Sequence, residues 1–262
     1  MPATDLDLLI AAARAAGQVA TGFSGPTAKR WDKDAGAGPV TEADLAVDRL
    51  LRERLTGERP DYGWLSEETP DTADRLDRAR VFIVDPIDGT RSFIDGSATW
   101  AHSLAVAEHG QITAAVVFLP LKDKLYAAAA GQGAFLNGKP IKASAPGGIS
   151  GATMLAARPV YDPVHWRDRQ VPVMERHHRP SLAYRLSLVA EGRFDAMLTL
   201  RPSWEWDIAA GALILQEAGA RTTDRSGAPL RFNNPHPQVN GVLAAHGTLH
   251  SALVERLAPW PG

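Results

Sequence analysis

The chain has 262 residues, of which 45% are hydrophobic, so it can bury a large core in one compact domain or two fused lobes. Its net charge of −2, with acidic and basic residues interspersed, argues against a broad nucleic-acid-binding face, and the absence of cysteine excludes disulfides and thiol chemistry. No apolar run reaches membrane-spanning length and no secretory signal pattern begins the chain, so we expect a cytoplasmic protein without a membrane partner.

Two amphipathic helices are predicted in the N-terminal part of the chain. Apolar residues recur at helical spacing over Asp5–Ala20 and again over residues 42–55. Thr41 has the position and the side chain of an N-cap for the second helix. We expect a loop over residues 22–38, because glycine and polar residues interrupt the apolar pattern there.

An acidic turn follows the apolar run at residues 81–84. This β-branched run predicts a buried strand, and it leads directly into Asp85-Pro86-Ile87-Asp88-Gly89-Thr90. Two carboxylates close together in a buried site raise each other's pKa, so a divalent cation would explain Asp85 and Asp88. Gly89 allows close backbone approach to a ligand, and the amides of a helix starting there would receive a phosphate. The alternative interpretation is an ordinary polar turn.

Two further acidic sites lie beside apolar runs. Glu67 and Glu68 follow one such run, and Asp207 precedes a helical pattern over residues 209–218. A solvated loop would be the alternative for the glutamates, and a helix N-cap would be the alternative for Asp207. The combination of three carboxylate sites without any soft ligand favours Mg²⁺ or Mn²⁺ over zinc.

The remaining pattern alternates strands and helices without an internal repeat. By itself it predicts an α+β protein and nothing more specific. The predicted elements are strands over residues 103–107, 112–119, 125–130 and 194–200, and a helix over residues 184–191.

Five segments of the chain resemble, in the same order, the signature segments of the inositol monophosphatase-like family of magnesium-dependent, lithium-sensitive phosphatases. They are Pro39-Val40-Thr41-Glu42-Ala43-Asp44 with Lys33 ahead of it, Glu67-Glu68, the acidic turn at residues 85–90, the hairpin at residues 131–141, and Trp206-Asp207-Ile208-Ala209-Ala210-Gly211. The resemblance implies an α/β (α+β) fold, a layered αβαβα sandwich with two mixed sheets. It also implies one phosphatase domain over residues 1–262, with lobes at roughly 1–146 and 147–262.

The same resemblance implies a set of metal ligands. Two or three Mg²⁺ ions, replaceable by Mn²⁺, would be held by Glu67, Asp85, the carbonyl of Ile87, Asp88 and Asp207. In this scheme Asp85 bridges two ions. We therefore expect a phosphoric monoester hydrolase acting on a small phosphorylated metabolite, with a homodimer as the candidate assembly.

Catalytic and phosphate-binding residues are also implied by the resemblance. Thr90 and Asp44 would hold the attacking water, and Glu67 would take part in catalysis as well as metal binding. The amides of Gly89 and Thr90 would bind the phosphate. Lys33 would act electrostatically from the loop that in the family closes over the metal site.

The resemblance favours a 3′(2′),5′-bisphosphate nucleotidase, which converts adenosine 3′,5′-bisphosphate to AMP and phosphate, and this prediction rests on two departures from the inositol-specific pattern. Those enzymes carry a glutamate seven residues before the last aspartate, and Leu200 occupies that position here. The segment at residues 184–192 is similar to that of bacterial 3′(2′),5′-bisphosphate nucleotidases, with Arg185 where they place a nucleotide-contacting lysine. An arginine at this position would bind the 5′-phosphate bidentately. The bisphosphate nucleotidases also carry an arginine ahead of the last motif. Arg201 matches that arginine only if the spacing to the motif is altered.

Other interpretations remain open at this point. An inositol 1-phosphate, another sugar phosphate or histidinol phosphate would be the alternative substrate. A non-catalytic binding protein on the same fold would be expected to have lost carboxylates that are all present here. For three tryptophans, packing in a core is the more common role of such side chains, and stacking on a nucleobase of the substrate is the alternative. These tryptophans are Trp166, Trp204 and Trp206, while the histidines weighed as ligands or nucleophiles are His102, His165, His177 and His178.

Overall fold

The computed structural model describes residues 4–33 and 38–259 and shows five alternating layers of helices and sheets. The α-helices are α1 (Asp5–Ala20), α2 (Glu42–Glu58), α3 (Thr90–Ile94), α4 (Leu182–Ala190), α5 (Glu205–Glu217) and α6 (Gly247–Arg256). Short 3₁₀ segments lie at Ala73–Asp77, Pro120–Lys122, Arg158–Tyr161, Pro163–His165 and Arg167–Arg169. No helix within the described residues combines the length and the apolar character needed to cross a membrane.

A seven-stranded mixed sheet carries most of the N-terminal half of the chain. Its first two strands are parallel, and the others follow as antiparallel neighbours in chain order. The strands, in spatial order, are β3 (Gly63–Ser66), β4 (Arg80–Asp88), β5 (Ala101–Glu108), β6 (Gln111–Leu119), β7 (Lys124–Ala129), β8 (Ala134–Leu136) and β9 (Lys139–Pro140).

A five-stranded mixed sheet forms the second β layer. Its central strands come from the C-terminal part of the chain, and its spatial order is β11 (Glu175–His177), β10 (Thr153–Ala156), β12 (Ala196–Thr199), β16 (Val242–Ala245) and β14 (Arg221–Thr223). Two antiparallel pairs complete the strands: β1 (Arg30–Asp32) with β2 (Pro39–Thr41), and β13 (Ser203–Trp204) with β15 (Gln238–Val239).

Alternation along the strands explains the layering. Val81 and Ile83 pack with α4 and α5 between the two sheets, whereas Phe82 and Val84 pack with α1 and α2 on the opposite face. A third apolar cluster joins the outer face of the five-stranded sheet to α6. Because both faces of β4 are buried, its sequence is a continuous apolar run. The order of the layers agrees with the predicted αβαβα sandwich.

Two predicted elements differ from the structure. The helix expected over residues 209–218 begins at Glu205, because the Glu205 amide donates to the carbonyl of Pro237 and β13 pairs with β15 just before it. The loop expected over residues 22–38 contains β1, which pairs with β2; residues 34–37 of that loop lie outside the described residues. Both differences come from pairing between segments that is invisible in local periodicity.

Candidate active site

The site is built on the end of β4, where the strand carries a β-bulge. Asp85 pairs with Ser103 and Asp88 pairs with Ala101, so β4 has one residue more than β5 between the two pairs. In a regular strand, residues three positions apart point to opposite faces. The bulge instead lets both aspartates face the layer that contains α4 and α5.

Three carboxylates from distant parts of the chain meet at this point. Oxygens of Glu67, Asp85 and Asp207 all lie within 4.8 Å of one another. Asp207 reaches the cluster from the first turn of α5, whose N-cap is Trp204, so the alternative that Asp207 is itself the N-cap is wrong. Oδ1 of Asp85 is shielded from solvent and has no hydrogen-bond partner. A buried orphan oxygen among hard oxygen donors is suited to a divalent cation such as Mg²⁺.

The cluster is electrostatically unfavourable without a cation. Burial, followed by the charge of Glu67, raises the pKa of Asp85 well above its ordinary value. Burial and the neighbouring Asp88 likewise raise the pKa of Asp207. Burial raises the pKa of Asp88 to about 6 and, together with Glu67, that of Glu68 to about 7. Because desolvation and like charges act in the same direction, a bound cation would restore the ionised forms.

Asp88 is held by the start of α4. Its Oδ2 accepts hydrogen bonds from the hydroxyl of Ser181 at 2.6 Å and from the amide of Ala183 at 2.7 Å. Ser181 also caps α4 by accepting from the Tyr184 amide. The sequence interpretation missed Ser181, although serine directly before an apolar helical run is an N-cap signal. With Oδ2 occupied, Oδ1 of Asp88 is the oxygen left for a cation.

Asp44 and Thr90 lie together beside the cluster. The Thr90 hydroxyl is 3.2 Å from Oδ1 of Asp44 and 3.2 Å from the carbonyl oxygen of Ile87. Oδ2 of Asp44 accepts from the Thr41 amide at 2.8 Å, which completes the capping box of α2. Burial raises the pKa of Asp44. Gly89, at a φ of +99°, makes the turn that brings Thr90 to this place.

Lys33 places a positive charge directly beside the two glutamates of the site. Its Nζ lies 2.8 Å from an oxygen of Glu67 and 2.7 Å from an oxygen of Glu68. Burial alone would lower the pKa of Lys33, but the two carboxylates outweigh it and raise the pKa. The β1–β2 hairpin therefore holds an ammonium group directly on one of the predicted metal ligands.

A cleft of about 490 Å³ opens from the acidic cluster. Its lining combines the acidic residues Glu67 and Asp207 with Arg91, Arg201 and Trp204. The ring of Trp204 stacks on that of Trp206, with centroids 4.6 Å apart and planes inclined by 9°. The cleft thus combines acidic, cationic and aromatic surface.

Arg185 lies near the cleft but is already bonded. Its guanidinium donates to the carbonyl of Arg179 and lies 3.1 Å from Nε2 of His178. Burial lowers the pKa of Arg185, and the charges of Asp88 and Arg201 act on it in opposite directions. Arg185 therefore interacts electrostatically with one predicted metal ligand, Asp88, and with Arg201 of the cleft.

Leu200, His102 and His177 are not among the residues that line the cleft. Leu200 packs in the apolar cluster beneath α6, while its neighbours Thr199 and Arg201 line the cleft. His102 is fully buried, with Nδ1 2.5 Å from the carbonyl oxygen of Pro86. Nε2 of His177 lies 2.9 Å from an oxygen of Glu175 on the edge strand β11. Trp166 is buried in the same apolar cluster as Leu200.

Comparison with known proteins supports the resemblance drawn from the motifs. The model of the inositol monophosphatase family matches residues 2–259. An inositol-1-monophosphatase of Rhizobium meliloti is 37% identical over 200 residues, covering 72% of this chain and 73% of the relative. A 3′-phosphoadenosine 5′-phosphate phosphatase of Mycobacterium tuberculosis is 33% identical over 82% of this chain and 80% of its own length.

The fold is also found among solved structures. An inositol monophosphatase from Anabaena (Nostoc) sp. PCC 7120 superimposes with a TM-score of 0.79 at 27% identity, covering 95% of this chain and 93% of that chain. The predicted fold class is thereby confirmed. The chain belongs to the inositol monophosphatase family of metal-dependent phosphatases and is a phosphoric monoester hydrolase that acts on small phosphorylated substrates.

Proposed function

We propose that this phosphatase uses Mg²⁺ to hydrolyse a phosphate monoester that carries a second anionic group, with adenosine 3′,5′-bisphosphate as the preferred substrate. The observation that supports this most strongly is the composition of the cleft. The acidic cluster of Glu67 and Asp207 shares one cavity with Arg91, Arg201 and Trp204. A substrate with one phosphate at the bound Mg²⁺ ions and a second phosphate at Arg201 fits this set of charged groups.

The metal site proposed here consists of oxygen donors only. Glu67, Asp85, Asp88, Asp207 and the Ile87 carbonyl would hold two or three Mg²⁺ ions, with Mn²⁺ as a substitute. When bound, such ions supply charge for the phosphoryl and leaving oxygens and lower the pKa of a bound water. The orphan Oδ1 of Asp85 supports this assignment, because a buried oxygen without a partner is costly in a folded protein.

Within this site, Asp44 and Thr90 would handle the proton of the attacking water. A threonine hydroxyl has one hydrogen to donate and lone pairs that accept. If it donates to Asp44, at 3.2 Å, its lone pairs are left to accept a hydrogen bond from water. As the water loses its proton to the Thr90 oxygen, the hydroxyl proton of Thr90 would pass to the Asp44 carboxylate, which would be the final proton acceptor. Glu67 would take part in catalysis as a metal ligand next to the reacting phosphate.

Phosphate binding would fall to the turn after β4 and to Lys33. The amides of Gly89 and Thr90 begin a helical turn, and a Cβ at position 89 would lie 3.3 Å from the carbonyl oxygen of Thr99. Lys33 would keep its ammonium group next to Glu67, where it also reduces the repulsion felt by an incoming dianion.

The second phosphate would be recognised by Arg185 and Arg201. Arg201 lines the cleft; burial lowers the pKa of Arg185, and the charge of Arg201 makes a smaller contribution in the same direction. Two guanidinium groups close together are unfavourable until an anion lies between them. Binding of a 5′-phosphate would relieve this repulsion.

Inositol 1-phosphate is the second candidate substrate. It is favoured by the R. meliloti relative named as an inositol-1-monophosphatase, whose identity to this chain is 37%. Against it stands Leu200, which is packed away from the cleft and offers no acceptor for ring hydroxyls. The two candidate substrates differ in that only the bisphosphate has a second phosphate to be bound by the arginines.

Phosphate release from a substrate panel tests both parts of the proposal. Adenosine 3′,5′-bisphosphate, inositol 1-phosphate and histidinol phosphate would each be assayed with Mg²⁺ and with a chelator. We expect kcat/KM to be highest for the bisphosphate and turnover to disappear with the chelator. Preference for inositol 1-phosphate would overturn the substrate assignment, and turnover without divalent cations would overturn the metal mechanism.

A further inference from the structure

A buried carboxylate beneath the metal site has no part in the chemistry described above. Asp48 lies on α2, one helical turn after Asp44, and is 8% exposed. Its Oδ1 accepts a hydrogen bond from the Ser66 hydroxyl at 2.5 Å, and its Oδ2 accepts one from the Thr69 hydroxyl at 2.8 Å. Both oxygens are thus engaged by one short segment of chain.

That segment carries the two glutamates of the acidic site. Ser66 directly precedes Glu67, and Thr69 directly follows Glu68, so the hydroxyls bonded to Asp48 lie on either side of the pair. The Glu68 amide lies 3.4 Å from Oγ of Ser66, and the Thr69 hydroxyl accepts from Nε1 of Trp64 at 3.2 Å. The loop therefore holds both oxygens of Asp48, while Glu67, which lies between the two bonded residues in the sequence, reaches the acidic cluster.

Asp48 itself does not reach the acidic cluster. The oxygens that converge there within the described residues belong to Glu67, Asp85 and Asp207. A carboxylate that engages both oxygens with hydroxyls orients the loop and contributes no ligand. Supporting groups of this kind commonly determine how well the direct ligands bind a metal.

We propose that Asp48 is a positioning residue for the metal site and that it acts through Ser66 and Thr69 on Glu67. The inference rests on the proposed role of Glu67 as a metal ligand. Asp44 and Asp48 are four residues apart on α2, so they lie on the same face of one helix. Helix α2 thereby sets the position of the group that holds Thr90 and the position of the loop that carries Glu67.

Direct Mg²⁺ binding, measured by isothermal titration calorimetry without substrate, tests the inference. Asp48→Ala should weaken Mg²⁺ binding by about tenfold to a hundredfold, the usual effect of removing a supporting group. Asp48→Asn should restore most of the affinity, because an amide can accept from Ser66 and donate to Thr69.

Asp195→Ala is the matched control. Asp195 also accepts from two hydroxyls, those of Ser144 and Thr153, at 2.6 and 2.8 Å, but it belongs to the segment before β12. Its substitution should lower the melting temperature without changing the Kd for Mg²⁺. Equal Mg²⁺ affinities for Asp48→Ala and Asp195→Ala would overturn the inference.

A milder variant covers the case in which Asp48→Ala does not fold. Thr69→Val removes one of the two hydroxyls and keeps the shape of the side chain, so Mg²⁺ binding should weaken in the same direction, by less. An unchanged Kd in this variant would contradict the inference. If the wild-type chain bound no Mg²⁺, the proposed metal site itself would be wrong, and that result is distinguishable from the failure of Asp48 alone.

Discussion

The hydroxyl of Thr90 lies 3.2 Å from Oδ1 of Asp44, and this contact joins the turn after β4 to the first turn of α2. The other oxygen of Asp44 is already engaged by Thr41 in the capping box that starts α2. One carboxylate therefore both begins a helix and orients a hydroxyl at the edge of the acidic cluster. The capping bonds keep Asp44 from rotating away from Thr90.

The role of Thr90 predicts a loss in turnover. In Thr90→Ala the hydroxyl that would bind the attacking water is gone, so kcat should fall by about a hundredfold or more while KM changes little. Thr90→Ser keeps the hydroxyl and should recover most of the turnover. Steady-state kinetics with saturating Mg²⁺ provide the measurement. A raised KM with unchanged kcat would show that Thr90 binds substrate instead.

Removing the central carboxylate should separate stability from activity. Asp85→Asn removes a carboxylate from the buried cluster, and because Asp85 is the residue proposed to bridge two ions, kcat should drop by several orders of magnitude. The metal-free variant should melt at the same temperature as the wild type or higher, because burial and Glu67 disfavour the ionised Asp85. Differential scanning calorimetry with a chelator checks the second part. Near-normal turnover would contradict the metal assignment.

The raised pKa values predict how metal-free stability depends on pH. The pKa of Asp88 is raised to about 6 and that of Glu68 to about 7. These folded-state pKa values exceed the unfolded-state ones, so the folded protein binds more protons. The stabilisation of the folded state that results is fully present below the unfolded-state pKa. It is lost as pH rises through about 6 to 7. The metal-free melting temperature should therefore fall between about pH 4 and about pH 7 and change little above that from these two groups.

Mg²⁺ should counteract this fall. Cations bind the ionised carboxylates, so the rise in melting temperature at a fixed Mg²⁺ concentration should be larger at pH 8 than at pH 6. Melting curves at both pH values, with Mg²⁺ or with a chelator, provide the test. Equal shifts at the two pH values would argue against binding to these carboxylates.

The role of Arg185 predicts a loss that depends on the substrate. Arg185→Ala removes a charge-assisted contact of roughly 1.5–3 kcal/mol, so kcat/KM should fall about tenfold to a hundredfold for adenosine 3′,5′-bisphosphate. Inositol 1-phosphate lacks the second phosphate and should be little affected. Arg193→Ala, just beyond the end of the same helix and exposed, is the matched control and should leave both substrates unchanged. Equal losses with both substrates would indicate that Arg185 only supports Arg179 and His178.

Local sequence patterns determined much of the site. The apolar run before Asp85 predicts a buried strand, and Thr41 is predicted as the N-cap of α2. Helix α1 has the bounds that its periodicity predicts, because its pattern depends on one buried face and little on partners. The acidic residues at three places in the chain pointed to hard metal ligands before any contact was known.

Only the tertiary structure decided how those places meet. The convergence of Asp207 with Glu67 and Asp85 depends on packing α5 against the large sheet, and the start of α5 depends on pairing with a later segment. Ser181 acquires its contact to Asp88 in the same way. Periodicity reports which face of an element is buried, but hydrogen bonds between distant segments depend on register, bulges and layer order. These are properties of the assembled chain, which no local window of the sequence contains.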